Sequence, residues 1–169
     1  SGLKVSDWEN KPGPKLNGKG LPLKPHETSR ALAIAPDGQS LLLGTAWYLR
    51  RFDRLGQSVW QTQVPDTVWG VNISADGRLA IAALGDGTVR WYRYADGQEL
   101  LALFVQKETR EWVLWTPDGY YDASPGGDRL IGWHLNRVEM GEGLSVLSLV
   151  PGSAAASAGI LPGDQIESV

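Results

Sequence analysis

The chain has 169 residues, a formal net charge of −3 at pH 7, an apolar fraction of 42% and no cysteine. Without a basic surplus there is no electrostatic footprint for nucleic acid. Without cysteine, disulfides, thiol catalysis and cysteine-held zinc are excluded. No apolar run is long enough to span a membrane and no export signal is visible, so no membrane partner is expected. The compartment stays undecided, with the cytoplasm favoured over secretion.

In chain order, Leu3 to Trp8 reads as a strand, and Asn10 to Gly20, rich in proline and glycine, as a loop. Leu21 to Leu23 could add an outer strand. Three strands follow at Arg30 to Ala35, Ser40 to Thr45 and Tyr48 to Asp53, with a fourth at Ser58 to Val64. After the break at Pro65-Asp66 the pattern returns at Trp69 to Ser74, Arg78 to Leu84, Thr88 to Tyr94 and Glu99 to Val105. The stretch Glu111 to Arg137 then reads as three further strands: one at Trp112 to Trp115, one at Tyr120-Tyr121, and one over Leu130, Ile131 and Trp133. Beyond Val138 the composition changes. An apolar strand ending at Val150 leads to a short helix at Ala154 to Ala158, capped by Ser153 and stopped by Gly159.

The strands repeat in register. Asp37-Gly38, Asp76-Gly77 and Asp118-Gly119 stand 39 and 42 residues apart. An aromatic ring follows each aspartate at 15 residues: Phe52, Trp91 and Trp133. A period of about 40 residues with four strands per unit is the sequence signature of propeller blades. The predicted fold is therefore all-β: a partial β-propeller of about three blades over 1–137, then a small α+β segment over 138–169. A closed ring takes about four to eight blades. The expectation is thus a homo-oligomer, or blades supplied by a longer parent chain.

IAPDG, ISADG, WTPDG and the run Gly85 to Gln98 resemble the WD-repeat β-propeller family. In that family these motifs mark blade turns and strand ends, so the resemblance implies structural roles for Asp37, Asp86, Trp91, Asp118, Asp128 and Trp133. The family's His–Asp pairing is incomplete here: His26 stands in a unit that has Ala46-Trp47 where the other units have Asp86 and Asp128. The stretch Glu111 to Arg137 is similar to the terminal segment of bacterial WD-repeat proteins that often carry a caspase-like peptidase domain. The chain itself lacks the cysteine nucleophile such an enzyme needs. Gly143 to Val169 resembles part of a PDZ domain. That implies docking of a partner's C-terminal peptide along Gly141, Gly143, Leu144, Ser145, Val146 and Leu147, by backbone hydrogen bonds and strand addition.

Other candidates have plainer readings. His134 could be a general base, but no serine or cysteine is assigned beside it, and a strand-end hydrogen bond is the commoner role. Glu111, Asp122 and Asp128 could group as carboxylates, although turn aspartates usually bond their own backbone. Arg50, Arg51 and Arg54 could hold an acidic ligand or form a solvated strand end. Gly126-Gly127-Asp128 could cradle an anion or simply turn. The expectation is a non-catalytic module for protein or peptide recognition, with no cofactor and no metal, forming the accessory part of a larger protein. The alternative is the substrate-recruiting region of a peptidase.

Overall fold

The computed structural model describes residues 2–131 and two short paired strands near the C-terminus. Every strand pair is antiparallel. Three short strands, β1 (Val5–Ser6), β2 (Lys15–Leu16) and β3 (Lys19–Gly20), form a first sheet. A four-stranded sheet follows, made in chain order from β4 (Ser29–Ile34), β5 (Ser40–Thr45), β6 (Tyr48–Asp53) and β7 (Ser58–Gln63). The third sheet has six strands: β8 (Val68–Ile73), β9 (Leu79–Leu84), β10 (Thr88–Arg93), β11 (Glu99–Val105), β12 (Trp112–Trp115) and β13 (Tyr121–Ala123). The C-terminal pair is β14 (Leu144–Ser145) with β15 (Gln165–Ile166).

The all-β class and the two four-stranded units agree with the sequence pattern. The third unit does not. Its first strand pairs with β11, Leu103 opposite Leu114, and so extends the second unit's sheet instead of starting another. Of its expected third strand, over Leu130, Ile131 and Trp133, Leu130 closes a 3-10 turn (Gly127–Leu130) and Trp133 lies outside the described residues. The cause is local: Ser124 Oγ takes the Trp112 N–H at 2.9 Å, and Gly127 lies so close to the Trp112 carbonyl that no side chain fits between them. At the N-terminus Leu21 to Leu23 forms no strand, while the Asn10 to Gly20 stretch supplies β2 and β3.

The sheets pack in layers. Leu41, Leu43 and Phe52 on one face of the second sheet bury Leu16 and Leu21 of the first layer. On its other face Leu42 and Leu49 meet Val68, Ala80, Ala82, Leu84 and Tyr92 of the third sheet. Because both faces are covered, every residue of β5 is buried. Gly44 sits where β5 meets β8: a Cβ there would lie 2.5 Å from Val68 Cγ1 and 2.8 Å from Val68 Cβ. Gly44→Val is therefore expected to cost about 1–3 kcal/mol through overpacking, read as a lower urea midpoint with an unchanged m-value.

The registers show where the sequence period slips. Leu41 opposes Phe52 in the second sheet, and Ala80, 39 residues after Leu41, opposes Tyr92 in the third. Tyr92, not Trp91, is thus the counterpart of Phe52, and both are fully buried. The β9–β10 turn is one residue longer than the β5–β6 turn, so a count of 15 from Asp76 stops one residue short, on the wrong face. Trp91 pairs with Ile81 and Leu101 on the outer face and is only half-buried.

The Asp-Gly pairs are turns, as their chemistry requires. Gly38, Gly77 and Gly119 have φ of 65°, 69° and 87°, the left-handed region where glycine carries no steric cost. Asp37 accepts the Gln39 N–H at 2.9 Å, and Asp76 accepts the Arg78 N–H at 3.1 Å. The Ser74 hydroxyl, followed by the Arg78 amide, holds the Asp76 carboxyl below its ordinary value.

Candidate functional site

The predicted marks that are described sit in turns and strands. Asp86 accepts from the Thr88 amide and hydroxyl at 2.9 and 2.6 Å and pairs with Arg90. Asp118 is exposed in its turn, and Asp128 lies in the 3-10 turn, where its carbonyl accepts the Ile131 N–H. Glu111, Asp122 and Asp128 do not form a carboxylate site. Glu111 accepts from the Ser124 hydroxyl and the Gly126 N–H, while Asp122 accepts the Ala123 N–H. The Arg50, Arg51 and Arg54 cluster is divided as well. Arg50 is buried against Glu27, Arg51 reaches the Tyr94 carbonyl, and Arg54 reaches Gln39. Trp133, His134, Gly141, Gly143, Val146 and Leu147 lie outside the described residues. For Leu144 and Ser145 only the backbone pairing with Ile166 and Gln165 is described.

One constellation emerges that the period alone did not single out. The first strand of each four-stranded unit opens with a bulge at the same place. The register shifts between Ser29 and Ala31 in β4 and between Val68 and Gly70 in β8. The extra residues are Arg30 and Trp69. A bulge leaves its residue outside the face-to-face alternation and re-aims its side chain. Both residues stand seven positions before an Asp-Gly pair, Asp37 and Asp76, so aligning the units on that pair would have revealed them. In the third unit Glu111 holds the same position, but there its carboxylate is folded into the Ser124–Gly126 turn.

The two bulge side chains meet. The Arg30 guanidinium lies 5.2 Å from the Trp69 ring centroid, and Arg30 Nη1 donates to Asn10 Oδ1 at 2.7 Å. Trp69 remains 59% exposed. Antiparallel pairing brings the β5–β6 turn to the same end as the starts of β4 and β8, and that turn presents Trp47, 55% exposed. Nearby, Lys24 stacks on Tyr48 at 4.2 Å and donates to its hydroxyl. This end of the sheets gathers tryptophan, tyrosine and cationic side chains, the residue types that dominate binding energy at protein interfaces.

A rigid base supports that end. Glu27 and Arg50 form a buried, two-pronged ion pair, with Arg50 Nε to Glu27 Oε1 at 2.7 Å and Nη2 to Oε2 at 2.6 Å. Thr45 and the Lys24 amide add hydrogen bonds to the same carboxylate. Burial alone pushes the Glu27 carboxyl up, but the bonds from Arg50, Thr45 and Lys24 outweigh it and the net shift is downward.

Two solved structures are similar to part of this chain, one described as the WD40 repeats of RRP9 and the other as U3-55K. Each matches at 12% identity with a TM-score of 0.44 over 60% of this chain. The chain covers 39% and 40% of those two chains, about two fifths of their length. No family model matches the chain, and no curated protein matches it. The architecture itself defines an all-β chain of layered antiparallel sheets.

Proposed function

We propose that the chain is a protein-recognition module whose two repeated sheets are consecutive propeller blades. The observation that carries the reading is the Arg30–Trp69 stack: two repeat-equivalent bulges aim an arginine and an exposed tryptophan at one end of the sheets. Its shape suits non-catalytic binding, because the groups that meet there are donors and aromatic faces held by a rigid scaffold.

The test is an array of random 12-residue peptides probed with the full chain. Binding is expected to weaken about tenfold or more in Trp69→Ala, in line with the loss of an interface anchor, while the unfolding midpoint changes little. Binding unaffected by Trp69→Ala would place the site elsewhere. A second element of the proposal is that Gly141 to Leu149 receives a partner's C-terminus, supported by the resemblance of Gly143 to Val169 to part of a PDZ domain. Printing the same array with free C-termini separates the two sites, since that binding should weaken in Gly143→Val and persist in Trp69→Ala.

A further inference from the structure

We propose that Arg30 and Trp69 recognise a carboxylate, so that the preferred partner is an acidic segment of a protein with an apolar residue beside the acid; this rests on the recognition reading above. Three arginines of the described residues carry carboxylate partners. Arg50 is paired with Glu27, Arg90 with Asp86 and Glu99, and Arg93 with Asp96. Arg30, like Arg51 and Arg54, has no carboxylate among its described partners. Its described partners are an amide oxygen, Asn10 Oδ1, and an indole face. Both are neutral, so the position of the guanidinium is fixed while its charge is left uncompensated.

The geometry leaves donors to spare. A guanidinium carries five N–H groups in one plane. Asn10 takes one from Nη1, and Nε is enclosed, so the donors left for a ligand are those of the Nη atoms. A planar, pre-positioned fork matches a carboxylate, and a charge-assisted hydrogen bond is about twice as strong as a neutral one. Holding the side chain between Asn10 and Trp69 lowers the rotamer entropy that a ligand would otherwise have to overcome. The open part of the Trp69 ring, next to the cation, offers apolar contact area of its own. Cation beside exposed indole therefore selects an acidic residue next to an aliphatic or aromatic one.

The other cations near the site have partners of their own. Lys24 is bonded to Tyr48, and Lys11 is paired with Asp7. A polyanion such as nucleic acid would require several free phosphate contacts in a row. One guanidinium held beside an exposed indole, on a chain of net charge −3, fits one carboxylate better.

The experiment titrates the full chain with two blocked tripeptides, acetyl-Leu-Glu-Leu-amide and acetyl-Leu-Gln-Leu-amide. The readouts are the Trp69 indole N–H and the Arg30 Nε–H signals by NMR. The glutamate peptide is expected to bind about tenfold tighter than its glutamine twin, and the gap should close as salt is raised. Arg30→Gln should erase the difference while leaving weak binding of both. Equal affinity of the two peptides, or a preference that survives Arg30→Gln, overturns the inference. So does tighter binding of inorganic phosphate than of the glutamate peptide. If both peptides bind equally and Trp69→Ala abolishes both, recognition at this end stands and only the carboxylate preference fails. If neither peptide moves either signal, both readings fall.

Discussion

Glu27→Ala is expected to lower the unfolding free energy by about 3–5 kcal/mol, the cost of stranding a buried charge when its partner is removed. The stranded group is Arg50, 4% exposed at its side chain, which would keep only Gln61 as a side-chain hydrogen-bond partner. The reverse change, Arg50→Ala, should cost a similar amount. Replacing both residues with leucine should recover much of the loss, because a buried pair repays little more than its own desolvation. Urea denaturation of the four proteins decides this, and additive single-site losses would show that the pair is not coupled. The pH dependence follows from the downward shift of Glu27. A carboxyl whose folded value lies below its ordinary 4.5 contributes stability that is complete above that value. The contribution is lost as pH falls through the lower folded value. Glu27→Gln should therefore be less stable near neutrality and show a flatter acid limb.

Tyr92→Ala is expected to cost about 3–5 kcal/mol, as for other large aromatic deletions from a core. Trp91→Ala should cost about 1–2 kcal/mol, since that ring is only half-buried on the outer face. The order matters more than the sizes, because it tests the register. Ala80 opposite Tyr92 and Leu41 opposite Phe52 make Tyr92 the core ring of its unit. If Trp91→Ala proved the more damaging in chemical denaturation, the alignment of the two units would be wrong by one residue. Should Tyr92→Ala fail to fold, Tyr92→Leu keeps the comparison usable.

Much of the fold was legible in the sequence because turn chemistry and alternation are local. The eight strands of the two complete units, and the turns at Asp37-Gly38 and Asp76-Gly77, follow from residue types within a few positions. What escaped depends on contacts between distant residues. Whether Trp112 to Trp115 begins a sheet or extends one is decided by pairing with β11, which the strand's own composition does not encode. The face of Trp91 turned on one extra residue in the β9–β10 turn, invisible to a count that starts at an aspartate. Arg30 and Trp69 read as ordinary strand residues because a bulge breaks the alternation that sequence reading relies on. Glu27, in a connector between proline and serine, gave no sign of its buried partner 23 positions away.

The first layer consists of strands only two residues long, and isolated sheets that small do not persist in water. Its order is borrowed: Leu16 and Leu21 stay in place because Leu41, Leu43 and Phe52 of the second sheet are already assembled. The layer therefore behaves as the weakest foldon of the stack, opening at lower free energy than the sheets beneath it. Each opening strips one face of β5 and withdraws Asn10 from Arg30. Local fraying at the N-terminus and the poise of the recognition end are thus two readings of a single equilibrium.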